Sequence, residues 1–339
     1  MAVTIRDVSA KSGLSISTVS KVFNNYGDIS EETKIRVKTI AEQIGYYPNA
    51  IARTLKTNHS YNLGFLYDEL ASSGLTHPFF AEVINAFKSE AETHGYDITF
   101  INHHAGTSSM TFLEHCRYRN VDGVCLAGMD FFSEEVLELI NSDLPCAVID
   151  HVFPSQISIV SENKQGLQQL VNYAVSRGHK KIAFIHGELN SSVTKDRIQG
   201  YIETMTAHNL EIPSDFIQES QYINPKKCRE KCDLLLSLPD PPTCIIVPDD
   251  YSYLGAIETA IDHHLTIGKD ISFAGYDGLR LTQMLKPRLT TIRQNTKRMG
   301  REAADQIINR IEHPNSFQYA VTHVSGKLLE GNTVSLLLD

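Results

Sequence analysis

The chain predicts an α/β protein in which an all-helical headpiece precedes a two-lobed body of doubly wound parallel sheets. Three observations lead there. Within residues 4–45, apolar positions at helical spacing form three segments punctuated by Gly13 and closed by Gly45. From Tyr61 onward, short apolar runs alternate with amphipathic stretches, the pattern of βαβ units. The charge divides at the same place: residues 1–60 carry 8 Lys/Arg against 5 Asp/Glu, and the remainder 23 against 35. A formal charge of −9 suits a nucleic-acid binder poorly. A headpiece at +3 ahead of a body at −12 nevertheless presents one end to phosphates and keeps the other away.

The first segment, TIRDVSAKSGLSISTVSKVFNN, reads as two short helices and a tight turn. Thr4 can cap the first helix, with Asp7 at the capping-box position and Ile5 and Val8 as its apolar edge. Gly13 supplies a turn that a Cβ would resist. Ser15 can cap the second helix, which turns Val19, Val22 and Phe23 inward and Ile16, Ser17, Ser20 and Lys21 outward. A helix-turn-helix has this form, its second helix entering the DNA major groove by its N-terminal end. Small polar residues there allow close approach to base edges. An ordinary helical hairpin opening a globular domain shares the pattern.

After a loop over Tyr26–Ile29, Ser30 caps a third helix with Glu31 and Glu32 in its first turn, where carboxylates suit the helix dipole. Its apolar positions are Ile35, Val37, Ile40, Ala41 and Ile44. The string YYPNAIARTLKTNHS follows. Asn49 can cap a short helix to about Leu55, too short to be stable alone. Arg53 beside an exposed Leu55 suits a minor-groove helix that wedges a base step. A linker helix packed on the body is the other reading of this stretch.

In the body, strands are expected at Leu63–Tyr67, Ile98–Asn102, Gly123–Ala127, Cys146–Ile149, Ile157–Val160, Ile182–Ile185, Cys244–Val247 and Ile271–Ala274. Helices are expected at Phe79–His94, Met110–Arg119, Ser133–Ile140, Lys164–Arg177, Asp196–His208, Lys226–Leu236 and Tyr251–His264. These strands exceed one comfortable sheet, so two lobes divide near Val160–Asn163, with later crossovers near Thr290–Asn295 and Thr322–Ser325. Asp68, Asp150, His186, Asp249, Asp250 and Asp277 directly follow strands, and carboxyl ends of strands open into the ligand crevice of such sheets. Carboxylates gathered there accept hydroxyl hydrogens of neutral, hydroxyl-rich ligands, with Arg197 placed to oppose them. Taken singly, each also suits a turn or cap.

Other classes are disfavoured. No basic region followed by an apolar run opens the chain, and no segment has the apolar length of a membrane span. The six cysteines form no zinc-type pairs and read as reduced thiols of a cytoplasmic protein. His103-His104 and His263-His264 are adjacent, so their rings point apart, and no third metal ligand is suitably spaced. No glycine-rich phosphate cradle occurs. Neither catalysis nor a cofactor is expected.

The chain resembles the LacI/GalR family of bacterial transcriptional regulators along essentially its whole length. The headpiece string above and SEETKIRVKTIAEQIGYYPNAIARTLK carry the resemblance, with HPFFAEVINAFKSEAETHGY, GHKKIAFIHG, PDDYSYLGAIETA, DISFAGYDG and LKPRLTTIRQ in the body. The resemblance implies a headpiece at residues 1–47, a hinge at 48–60 and a body at 61–339 similar to periplasmic sugar-binding proteins. The lobes would span about 61–161 with 294–323, and about 162–291 with 324–339. Base-reading positions fall on Ile16, Ser17 and Lys21. Phosphate and flanking contacts fall on Arg6, Thr18, Ser20 and Asn25. The hinge wedge falls on Leu55, with Asn49, Ala52 and Arg53 around it. Effector contacts fall on Phe79, Phe80, Asp150, Arg197, Tyr222, Asp249, Asp277 and Gln294.

Several positions depart from the family pattern. Lys21 stands where Arg is common and loses its bidentate fork on guanine. Ser161-Glu162-Asn163 replaces the usual Asp-Asn step. Asp249 replaces Asn, and Tyr222 stands where some members carry a sugar-stacking Trp, a residue this chain lacks. The end at VSLLLD, without a tetramerising leucine repeat, implies a homodimer. The expected function is a ligand-responsive repressor that binds a pseudo-palindromic double-stranded DNA operator and takes a small-molecule effector, a sugar first and a purine or nucleoside second. A cytoplasmic small-molecule binding protein is the remaining alternative.

Overall fold

The computed structural model describes residues 3–24, 26–47, 59–67, 74–105 and 108–337. It forms two units, one running through Asn62 and including Asn120–Asp122, the other holding the rest of the body.

In the first unit, α1 (Ile5–Ser12), α2 (Ile16–Phe23) and α3 (Glu31–Ile44) enclose a small core of Val8, Val19, Val22, Val37 and Ala41. The Asp7 carboxylate accepts hydrogen bonds from the Thr4 amide and hydroxyl, both at 2.8 Å. Gly13 closes α1 in the left-handed region at φ 67°. Ser15 and Ser30 accept from the amides of Thr18 and Thr33 at 3.1 and 3.3 Å, capping α2 and α3. Ile35, expected in the apolar face, is 65% exposed instead. The stripe that meets α1 and α2 is Val37, Ile40, Ala41 and Ile44, and Ile35 lies outside its arc. At the far end of the unit, Asp122 accepts the Ser60 and Tyr61 amides, each at 2.9 Å. The expected hinge helix lies outside the described residues.

The body begins with β1 (Asn62–Tyr67), α4 (Pro78–Thr93), β2 (Asp97–Ile101) and a hairpin of β3 (His104–Ala105) and β4 (Ser108–Ser109). Next come α5 (Phe112–Tyr118), β5 (Gly123–Ala127), α6 (Glu134–Ile140), β6 (Cys146–Ile149), β7 (Ile157–Ser161) and α7 (Asn163–Ser176). The middle holds β8 (Ile182–His186), α8 (Ser192–Ala207), β9 (Ile217–Glu219), α9 (Pro225–Leu236), β10 (Cys244–Ile246) and α10 (Tyr253–Asp262). The chain finishes with β11 (Ser272–Asp277), α11 (Arg280–Met284), β12 (Thr290–Arg293), α12 (Thr296–Glu312), β13 (Val321–Val324) and β14 (Lys327–Leu329).

One sheet has the order β13-β7-β6-β5-β1-β2, the other β14-β12-β11-β10-β8-β9. Their interior pairings are parallel, and β14 runs antiparallel to β12. The stretches expected as crossovers thus hold strands, β12 between β14 and β11 and β13 at the edge of the other sheet, with α12 between them in the chain. The sequence reading places no helix over the 17-residue α12, although Met299, Ala303, Ile307 and Ile311 recur there at helical spacing. Gly300 is where α12 meets α4: a Cβ there would lie 2.2 Å from the Val83 carbonyl oxygen.

Both faces of the second sheet are covered, as parallel sheets require. Ile182 and Phe184 pack with Leu167, Tyr201 and Met205 on one face. Ala183 and Ile185 pack with Cys228, Tyr253 and Phe273 on the other. Burying each large apolar side chain contributes about 1.5–3 kcal/mol. All six cysteines are free and buried. No helix among the described residues is long and apolar enough to cross a membrane.

Candidate functional site

Every strand that carries an expected effector residue aims its carboxyl end at one cavity of about 290 Å³. All eight positions, Phe79, Phe80, Asp150, Arg197, Tyr222, Asp249, Asp277 and Gln294, line it. Phe79 and Phe80 enter from the first turn of α4 with their rings edge to face at 4.9 Å. Arg197, from α8, is 4% exposed, donates to Asn163 Oδ1 at 2.9 Å and to the Pro248 carbonyl at 3.0 Å, and lies 3.6 Å above the Tyr276 ring. Burial works against its charge, but Tyr222, Tyr276, Asp277 and Asp150 outweigh that and strengthen it. Tyr222 packs on the backbone of Gly187, where a Cβ would come within 2.1 Å of the ring, and its hydroxyl lies 2.9 Å from Thr194 Oγ1.

The carboxylates are tied down by hydrogen bonds that leave lone pairs for a ligand. Asp249 accepts from the Ser252 amide and hydroxyl, both at 2.7 Å, and from the Ile223 amide at 2.9 Å. Asp150, at φ 57°, accepts from the Ser161 amide at 2.7 Å. Asp277, at φ 110°, holds backbone strain of the kind found at ligand sites. Gln294 donates to Asp277 at 2.8 Å and accepts from Ser161 at 2.7 Å, linking the ends of β11, β12 and β7. Burial raises Asp150 and Asp249 above the ordinary carboxylate range. For Asp277 burial is again the leading cause; Arg197 opposes it, Asp249 and Asp250 reinforce it, and the carboxyl rises well above that range.

Two strand-end residues do not reach the cavity. Asp250 is fully buried beside it, accepting from Leu279 N at 2.8 Å and from the Thr282 and Thr291 hydroxyls at 2.6 Å. Burial pushes its carboxyl up to about 7. His186 is buried with its Nδ1 2.7 Å from the Gly187 carbonyl oxygen. Asp249 and Asp250 lie in the turn after β10, and of the two Asp249 lines the cavity. Asp68 lies outside the described residues. Sequence reasoning missed His77, Phe131, Phe132 and His151, which also line the cavity. Phe131 stacks on His151 at 4.7 Å. Their signal was the Phe pair in GMDFFS, directly after β5.

On the headpiece, Ile16 is 45% exposed, Ser17 and Arg6 are exposed, and Thr18 and Ser20 are half-buried. The Ser15 hydroxyl lies 2.7 Å from that of Ser17 and 2.9 Å from that of Thr18, ordering the start of α2. Lys21 donates to Asp28 at 2.5 Å, a partner that the sequence reading did not foresee. Asn25, Asn49, Ala52, Arg53 and Leu55 lie outside the described residues. Among the described residues, Glu90, His94 and Asp305 bring possible metal-ligand atoms together, but Arg301 engages Glu90 at 3.3 Å.

Residues 4–49 match the bacterial regulatory proteins of the lacI family, and residues 60–325 match the periplasmic binding proteins and sugar binding domain of LacI family. The chain belongs to the LacI family. It is a DNA-binding transcriptional repressor of that family. It is 30% identical over 315 residues to the HTH-type transcriptional repressor PurR of Mannheimia succiniciproducens, covering 91% of this chain and 92% of that protein. It is 26% identical to the probable HTH-type transcriptional repressor ExuR of Bacillus subtilis, covering 92% of each. The Lac repressor dimer bound to operator and the anti-inducer ONPF superposes with a TM-score of 0.82 at 23% identity, covering 99% of this chain and 100% of that one. The CelR–cellobiose complex gives 0.71 at 21% identity, covering 98% and 99%. These two likenesses show the fold.

Proposed function

We propose that this LacI-family repressor acts in the cytoplasm as a homodimer on a pseudo-palindromic operator and takes a neutral carbohydrate in the cavity. The observation that carries the effector class is the make-up of the wall, rich in carboxyl groups and poor in cations. Asp130, Asp150, Glu188, Asp249 and Asp277 line the cavity, and among its described lining residues Arg197 is the only Lys or Arg. That guanidinium is already engaged by Asn163, Pro248 and Tyr276. Carboxyl groups accept hydrogen bonds from sugar hydroxyls, and donate to them where burial holds the proton, while a wall whose one guanidinium is engaged offers no counter-charge to phosphates or uronates. Phe79, Phe80 and Phe131 offer apolar faces for the C–H side of a sugar ring. The dimer is supported by the Lac repressor, whose structure is a dimer bound to operator, and by the two-fold symmetry that paired half-sites demand.

Effector binding biases one state of the cleft by its differential affinity. The segment carrying Asn49, Ala52, Arg53 and Leu55, marginal as a helix by length, passes that bias to DNA affinity. A purine or nucleoside effector is the second reading, favoured by the phenylalanine-rich wall and the matches to PurR repressors.

Thermal unfolding with neutral sugars, sugar phosphates and purines tests the assignment. At about 100 times its dissociation constant the true effector adds roughly 2.7 kcal/mol. A neutral sugar is expected to give that shift, and Asp277→Ala to abolish it while operator binding persists. A shift by purines alone would replace the sugar with the second reading. A shift by sugar phosphates alone would overturn the argument from the wall's lack of a free cation.

A further inference from the structure

We propose that Asp28 is a positioning residue for operator recognition, holding Lys21 in the pose from which it reads a base edge. This rests on the reading of Lys21 as a groove-facing residue of α2. Their ion pair closes at 2.5 Å with both side chains open to solvent, at 41% and 55% exposure.

The backbone sets the position of Asp28. The Tyr26 amide donates to the Lys21 carbonyl at 3.1 Å, fastening the loop to the end of α2. Ile29 packs into the headpiece core one residue beyond Asp28. Two other headpiece carboxylates have their own tasks: Asp7 completes the cap of α1, and Glu31 pairs with Lys34 at 2.7 Å. Asp28 is not needed to cap α3, because Ser30 does so.

The chemistry suits discrimination more than grip. A free lysine is a flexible point charge that settles on any phosphate within reach, and ordering it costs side-chain entropy. Paired with Asp28, the ammonium keeps two further donors, enough for the O6 and N7 acceptors of guanine. The carboxylate repels phosphate oxygens, so a register that puts Lys21 on the backbone is penalised. Binding to non-specific duplex, which depends on phosphate neutralisation, is weakened.

Operators are first selected from random duplexes with the wild-type full chain. Binding is then titrated on the operator, on its single-pair variants and on a non-specific duplex over a range of salt. Asp28→Asn is expected to bind non-specific duplex several-fold more tightly, with a salt slope steeper by about one unit of log K per log salt. It should also lose about tenfold of discrimination at one base pair in each half-site. Asp28→Glu should restore discrimination. In a Lys21→Met background, adding Asp28→Asn should leave discrimination at that pair unchanged.

Asp28→Asn with wild-type discrimination overturns the proposal. So does an equal effect of Asp28→Asn with and without Lys21, which would make Asp28 a general negative charge near DNA. Lys21→Met that discriminates like wild type would instead sink the reading of Lys21 as a base reader.

Discussion

On the headpiece, Lys21 and Asp28 meet in full view of solvent, whereas in the body Arg197 and Asp250 are sealed from it, 4% and 0% exposed. The exposed pair is screened by water and salt and adds little to stability, so it can serve recognition without cost to the fold. The buried groups depend on their fixed partners, and removing one leaves another unsatisfied. Charge in the first region is therefore a matter of recognition. In the second it is inseparable from the fold.

Arg197→Ala should break that contrast most severely. It strips donors from Asn163 and the Pro248 carbonyl and the cation from the Tyr276 face. A loss of about 3–5 kcal/mol is expected in chemical denaturation, together with the effector response. An Arg197→Ala variant of wild-type stability would place the guanidinium on the same footing as Lys21.

Asp250 sharpens the contrast through pH. Its folded carboxyl holds a proton up to about pH 7, whereas the unfolded one releases it near its ordinary value of 3.8. Between those limits the native state binds more protons, so its contribution to stability falls as pH rises from about 4 to about 7 and is constant above. The full window is worth on the order of 4 kcal/mol. Asp250→Asn should flatten the dependence of melting temperature on pH across that range. An unchanged slope would mean that other groups carry the linkage.

The smallest change to the fold is expected on the headpiece. Lys21→Ala should leave thermal unfolding essentially unmoved, while binding to the preferred operator falls roughly ten- to a hundredfold and discrimination relaxes at one position per half-site. Equal losses on all sequences, read by titration, would reduce Lys21 to a phosphate contact.

Local chemistry was legible wherever it acts within a few residues. Thr4 with Asp7, Gly13, Ser15 and Ser30 can be read as caps and turns because their partners lie three or four positions away. The strands β5 and β6 can be read because continuous apolar runs demand burial on both faces. The helix α12 carried the same local signal in Met299, Ala303, Ile307 and Ile311 but was overlooked, and its close approach to α4 at Gly300 is what spacing does not give. For the cavity, residue reasoning reached the strand-end carboxylates, and the family resemblance supplied Phe79, Phe80, Tyr222 and Gln294. Residue reasoning alone did not separate Asp249 from Asp250, a choice the resemblance made, and neither found Phe131 and His151.

The sequence by itself determined the three-helix headpiece, the alternating body and the strand ends where a ligand would be met, because periodicity, capping and turn chemistry are local. Tertiary structure alone added Phe131 and His151 to the cavity wall and locked Asp250 beside it among Leu279, Thr282 and Thr291. It also brought Asp28 across a loop to Lys21, and set Arg197 on Tyr276. Those outcomes depend on the direction of side chains converging from distant elements, a property of packing in three dimensions that no spacing along the chain encodes.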